Sequence, residues 1–200
     1  MLRKKLIFNK RVAIAAIHIG LFVFLTFSNC LGQEKMSFDF EKREMLKPIK
    51  MPDESISMTA TSDNTTISTL FEKFSVNLQT ENDALSGAVF TGFYIPVKTV
   101  QAGKYINYIQ NLRGVVHKDA DARIVLSLDL GGKLVTIEFP YGEKTEADLF
   151  RSFPRRVKNG KTNSYLATLA ITVERRSVKS IAFIEIDSFD LAIGIAPNQK

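Results

Sequence analysis

Ile124-Val125-Leu126-Ser127-Leu128-Asp129-Leu130-Gly131-Gly132-Lys133-Leu134-Val135-Thr136-Ile137-Glu138-Phe139 is the stretch that decides the fold. Ile124, Leu126, Leu128 and Leu130 recur at every second position into Gly131-Gly132, and Val135, Ile137 and Phe139 do the same on the way out. A period of two puts these side chains on one face of an extended strand. Two adjacent glycines between such runs supply the positive φ angles that a tight hairpin turn requires. The segment is therefore expected to be an antiparallel hairpin with one buried face.

The same period spreads in both directions. Phe74, Val76 and Leu78 alternate with Ser75, Asn77 and Gln79; Phe93, Ile95 and Val97 mark another strand, where Pro96 argues for an edge or an irregular end. Tyr105 to Val116 carries aromatic and β-branched residues around Arg113-Gly114. Tyr165, Ala167, Leu169, Ile171 and Val173 form a clear strand, and Ile181 to Ile195 reads as a double run broken near Asp187-Ser188. Glu143 to Asn163 is polar and basic, holds Pro154 and Gly160, and reads as a long loop with a helical turn near Ala147–Phe150. Many short strands without a long helix predict an all-β fold: an antiparallel, jelly-roll-like β-sandwich of about eight strands over residues 69–197. A transmembrane β-barrel also alternates, but the chain ends Pro197-Asn198-Gln199-Lys200 with no terminal aromatic.

Residues 1–29 have a different character. Arg3, Lys4, Lys5, Lys10 and Arg11 precede a run from Val12 to Phe27 that is apolar apart from His18, Gly20 and Thr26, and Ser28-Asn29-Cys30 follows. A basic start, a short apolar stretch and small residues are the plan of an export signal. The apolar run falls short of the ~20 residues that span a bilayer comfortably. Two processing schemes fit. In one, Cys30 becomes the lipidated first residue; in the other, cleavage follows Gly32 and Gln33 is the new N-terminus. Phe27-Ser28-Asn29-Cys30 resembles the relaxed lipoboxes of spirochaetal lipoproteins, which tolerate bulky residues before the cysteine. That resemblance implies acyl chains on Cys30 and a membrane-anchored protein of the cell envelope; the alternative is a soluble periplasmic or secreted one. Residues 30–68, with Pro48, Pro52 and the polar run Thr61 to Thr66, read as a flexible tether, although Phe38–Phe40 and Met45-Leu46 also suit a short strand or helix on the domain.

Charge and composition exclude several functions. The first thirty residues hold five of the 27 Lys and Arg and none of the 21 Asp and Glu, so the remainder carries 22 basic against 21 acidic residues. A balance so close to neutral offers no field for nucleic acid. Cys30 is the one cysteine, which leaves the body no disulfide, thiolate nucleophile or cysteine zinc site. His117 is the one histidine beyond the signal, too few for a typical zinc set. Neither a metal nor another cofactor is implied, and no catalytic constellation is visible.

The candidate ligand-binding residues are Tyr94 and Tyr141, as an exposed stacking pair for sugar rings, and Arg155-Arg156, as a local anion site. Arg175-Arg176 is a second basic pair. Asp119 with Asp121, and Asp187 with Asp190, offer oxygen ligands of the kind Ca²⁺ takes but no full set. Glu138, Asp129 and Glu185 remain open as glycosidase carboxylates, which would have to face each other across a cleft. From Phe90 to Ile193 the order of features is similar to secreted bacterial β-domains of unassigned function, carried by Arg113-Gly114, Asp119–Ala122 and Ile186–Asp190. That likeness implies a sandwich and export but no reaction. The expected protein is a non-catalytic, lipid-anchored β-sandwich that binds a glycan, a matrix protein or an envelope partner. The alternative is a structural subunit of a periplasmic or surface assembly, in which exposed strand edges pair copies or partners.

Overall fold

In the computed structural model the Gly-Gly hairpin forms as expected. Strand β7 (Ala122–Leu130) turns through Gly131 and Gly132, with φ of 65° and 87°, into β8 (Leu134–Phe139). The structure describes residues 36–49, 55–81, 83–98, 105–158 and 164–195, all within the unit Lys35–Lys200. The export-signal residues, Cys30, Gly32 and Gln33 lie outside the described residues.

This hairpin is the tip of a much longer one. Outward from it, β6 (Tyr105–Lys118) pairs β9 (Thr145–Lys158), β5 (Ser86–Lys98) pairs β10 (Ser164–Arg175), and β4 (Thr66–Leu78) pairs β11 (Ala182–Ile195), all antiparallel. Rolled up, these pairs give β4-β11-β6-β9 in one sheet and β5-β10-β7-β8 in the other. That is the strand order of a jelly roll. Three short strands extend it. β3 (Ile56–Ala60) joins β4 to make a five-stranded sheet, while β1 (Ser37–Phe38) and β2 (Glu44–Ile49) share the free edge of β5 in a six-stranded one. The eight-strand sandwich is thus present, with three strands added.

The core lies between the sheets, where inward residues of every long strand meet. Ile124, Leu126, Leu128, Leu169, Ile171, Ile184, Ile186 and Leu191 are fully buried there. Phe93 meets Phe189 with ring centroids 5.7 Å apart, and Tyr108 meets Tyr165 at 5.0 Å. Arg175, also buried, donates to the carbonyls of Gln79 and Ala84 (both 2.9 Å), Val178 (3.0 Å) and Ser180 (2.7 Å), tying the β4–β5 and β10–β11 loops together at one end of the sandwich. Five donors in a rigid fork suit a guanidinium to this and no other side chain.

Two expectations from the sequence need correction. The span read as a loop, Glu143 to Asn163, holds the 14-residue strand β9, with no helical turn at Ala147–Phe150. As an edge strand it is wet on one side, so its alternation is weak, and an edge tolerates Pro154. The span read as a tether, 30–68, is strand through much of its described part: β1, β2 and β3 fall inside it, and Met36 and Phe38 are buried in the core. These strands pair on one side too, and Pro48 lies within β2. Thr61–Thr65 is the β3–β4 turn, where Asp63 Oδ1 accepts from the hydroxyls of Thr61 (2.7 Å) and Thr65 (2.9 Å) and from the Thr65 N–H (3.1 Å). The break near Asp187-Ser188 is neither a turn nor a strand end. It is a β-bulge inside the continuous strand β11, whose register slips between Ile186 and Ser188.

Candidate functional site

The outer face of the five-stranded sheet carries the richest chemistry. Period two sends Val115 and His117 of β6 outward, because Val116 and Lys118 point into the core. Across the sheet His117 pairs with Phe183 of β11 on one side and Glu146 of β9 on the other, and Val115 pairs with Glu185 and Asp148. Together with Gln79 at the end of β4, the side chains of Phe183, Val115, His117, Glu146 and Asp148 line an open groove of about 640 Å³. His117 Nδ1 lies 4.0 Å from Glu146 Oε2.

Beside the groove the bulge crowds carboxylates together. A bulge sets two residues of one strand against one of its neighbour, and here it adds Asp187 to the face that already holds Glu185 and Asp148. Burial raises the Glu185 carboxyl above its usual range, and the charge of Asp187 adds to that. Burial raises Asp187 as well, with Asp148 as the second cause. The bulge depends on Gly114. A Cβ there would stand 2.1 Å from the Glu185 carbonyl oxygen and 3.0 Å from Ile186 Cα, so β6 passes β11 at a distance that only glycine permits. Phe150 and Arg113 continue the face along the next row, with the guanidinium 5.7 Å from the ring centroid.

The residues singled out from the sequence do not converge. Tyr94, half-buried, lies on the outer face of the six-stranded sheet between Glu44 and Leu166. Tyr141 follows β8. Its hydroxyl is 3.4 Å from Glu174, and the Arg176 guanidinium covers its ring at 4.1 Å, so that face is already occupied. Arg155 turns inward and donates to the carbonyls of Leu130 and Gly131, clamping β9 to the hairpin tip. Arg156 turns outward over the ring of Tyr105, 4.3 Å from its centroid. The guanidiniums of the Arg155-Arg156 pair therefore act on opposite faces of β9.

Among the other acids, Asp119 accepts from the Ile181 N–H (2.8 Å), Asp190 from the Ser68 hydroxyl (2.6 Å) and Asp129 from the Gly132 N–H (2.7 Å). Glu138 is held by Arg123 at 2.7 Å. Asp129 and Glu138 belong to the six-stranded sheet and Glu185 to the five-stranded one, so these three do not face each other across a cleft. Among the described residues no group of three His, Cys, Asp or Glu side chains is placed to hold a metal ion. The arrangement offers acceptors around a small apolar patch, open to solvent. That suits a ligand rich in hydroxyl or amide donors.

Phe183, Glu146 and Asp148 escaped the sequence reading. Phe183 breaks the core parity set by Ala182 and Ile184, a signal that was available. Glu146 and Asp148 were hidden because β9 did not read as a strand.

No protein-family model and no curated protein matches this chain. Among solved structures it is similar to TmCBM61 in complex with β-1,4-galactotriose, at 16% identity over 81% of this chain and 88% of that one, with a TM-score of 0.27. The mannan-recognising carbohydrate-binding module TmCBM27 gives 10% identity, 78% and 98% coverage and a TM-score of 0.28. The enzymatically active domain of the bacteriophage CBA120 tailspike protein 4 gives 12%, 79%, 20% and 0.29. Scores this low do not carry a shared architecture, and the ligands of these proteins have no bearing on the site described above.

Proposed function

We propose that the protein is a non-catalytic binding protein of the bacterial cell envelope, exported and anchored through acyl chains on Cys30, whose five-stranded sheet presents its outer face to a glycan. The observation that carries this reading is the open groove itself. Phe183 and Val115 give an apolar floor for the C–H face of a sugar, and Gln79, Glu146, Asp148 and His117 supply hydrogen-bonding groups for its hydroxyls. An open groove passes a chain through, whereas small-molecule enzymes enclose most of their ligand.

The test is calorimetric titration against a panel of soluble oligosaccharides, repeated with Phe183→Ala and Asp148→Asn. Saturable binding, weakened at least tenfold by either substitution and without turnover of the sugar, is expected. Absence of binding across neutral, acidic and amino-sugar oligomers sinks the reading. So does hydrolysis of any of them that Glu185→Gln abolishes.

A further inference from the structure

Among the described residues strand β9 is one of the two edges of the five-stranded sheet, β3 being the other; it is fourteen residues long and pairs with β6 on one side. Long edges invite pairing with any extended chain, and proteins guard them with charge and proline. β9 carries both guards in an ordered way. On its outer face Glu146 and Asp148 come first, Phe150 and Ser152 lie in the middle, and Pro154 and Arg156 come last, with Lys158 the strand's final residue in sequence. Phe150 is 55% exposed, one of the largest apolar side chains left in solvent.

We propose that β9 pairs antiparallel with β9 of a second copy of this chain, about a two-fold axis at Ser152. That register sets Glu146 opposite Lys158, Asp148 opposite Arg156, Phe150 opposite Pro154, and Ser152 opposite itself, each pair occurring twice by symmetry apart from the last. Opposite charges meet at both ends and the exposed phenylalanine is covered at the centre, the pairs that stabilise a sheet. A parallel, in-register pairing sets like charges against each other at both ends. Unrelated strands lack the matching order of charge, so the same residues that repel them select a second copy. Pro154 takes one donor per copy from the new ladder and leaves the rest. The two-fold axis stands perpendicular to the sheet, so both grooves open on the same side of one ten-stranded sheet. A repetitive ligand then meets two sites at once, and linked sites bind more tightly than either alone. The pairing itself does not depend on what the groove binds.

The experiment is sedimentation of the full chain as purified from its host, together with two charge variants and one cysteine variant. The unmutated chain is expected to form a dimer. Ser152→Cys is expected to cross-link it on mild oxidation, while the unmutated chain, whose single cysteine, Cys30, is acylated in one processing scheme and removed in the other, gives no such species. Glu146→Lys with Asp148→Lys, and Arg156→Glu with Lys158→Glu, should each raise the dimer dissociation constant about a hundredfold with unaltered far-ultraviolet circular dichroism. Mixing these two variants should restore a dimer containing one copy of each, because every reversed charge again meets its opposite. A monomer at all concentrations, no cross-link through position 152, or charge variants that dimerise as before would overturn the proposal.

Discussion

Gly114→Ala tests whether the bulge builds the site. The added Cβ would stand 2.1 Å from the Glu185 carbonyl oxygen, and 3.0 Å and 3.1 Å from the Ile186 Cα and the Glu185 carbonyl carbon. All three are backbone atoms of the central strand β11, so no side chain can swing away. Relief requires β6 and β11 to part by roughly 1 Å, given ordinary C···O contact distances of ~3.3 Å or more. Overpacking of this kind costs about 1–3 kcal/mol, and occasionally more where backbone must move. Alanine also stiffens the unfolded chain, which returns ~0.4–1 kcal/mol. The net loss expected is about 2 kcal/mol, or roughly 4–8 °C in melting temperature for a domain of this size. Gly194→Ala is the matched control: it lies in the same sheet, and nothing stands within 4 Å of its added Cβ. Thermal and urea unfolding of both variants, with oligosaccharide titration of each, is the assay. If Gly114→Ala melts within a degree of Gly194→Ala, or if it melts lower yet binds unchanged, the claim that the bulge shapes the site is wrong.

Arg175→Lys should cost about 3 kcal/mol, nearly as much as Arg175→Met, because one ammonium cannot serve four carbonyls around a buried fork; chemical denaturation distinguishes this from a simple charge effect. Glu185 and Asp187 have carboxyls raised above their unfolded values, so the native state holds their protons more tightly. Stability from these two groups therefore falls as pH rises from the unfolded pKa through the folded one, and the full penalty is present above it. Glu185→Gln with Asp187→Asn should stabilise the protein at neutral pH, with the difference from the unmutated chain shrinking toward acid. Asp39, held below the usual carboxylate range by its hydrogen bond to Lys42, works with the opposite sign, losing stability as pH falls, but it is common to both proteins and cancels in the difference. Cys30→Ser should move the protein expressed from its full gene from the detergent to the aqueous phase, with loss of the acyl mass at the N-terminus; an unchanged partition would favour cleavage after Gly32.

How far the fold was legible follows from where each strand sits. β7 and β10 bury one full face inside the six-stranded sheet, so their alternation is clean, while β8, an edge strand whose Val135, Ile137 and Phe139 are half-buried, is tied to β7 by the local chemistry of the Gly-Gly turn. β9 and β1–β3 border solvent or pair along one side, and residues under weak burial are free to be polar, charged or proline. The bulge was half-visible. Ile184 and Ile186 set one parity, and Phe189, Leu191 and Ile193 resume on the other, the trace that one inserted residue leaves in a period-two pattern. The groove was not legible, because it joins residues of β4, β6, β9 and β11 whose proximity depends on how the long hairpin rolls. The aromatic and basic residues that drew notice in the sequence are explained by packing instead: Tyr141 under Arg176, Arg156 over Tyr105, Arg155 against the hairpin tip.

The two outer faces of the sandwich differ in a way that bears on which one works. In the six-stranded sheet the ladders joining β5, β10, β7 and β8 run without a register slip, and the acids beside them are neutralised, Glu138 by Arg123 at 2.7 Å with Glu174 at 3.8 Å from the same guanidinium. That arrangement raises the Arg123 pKa, first through its hydrogen bond to Glu138, as expected where charge is used to hold strands together. The five-stranded sheet differs in its acids. It holds the Asp187 bulge, and there the Glu185 and Asp187 carboxyls are raised by burial first and by a neighbouring acid second, whereas close glycine contacts and register slips occur in both sheets, Gly92 standing against the Ala167 carbonyl and the β2–β5 ladder slipping between Leu46 and Ile49 in the six-stranded one. Natural sequences agree with their fold at most positions and depart from it where function demands. Acids left without a cation on the outer face of the five-stranded sheet, against acids held by Arg123 on the other, are what favour the five-stranded sheet in the proposed reading. In that reading, a ligand that donates hydrogen bonds to Glu185 and Asp187 would offset the burial, and the lesser repulsion from neighbouring acids, that raise these two carboxyls, turning a cost into affinity.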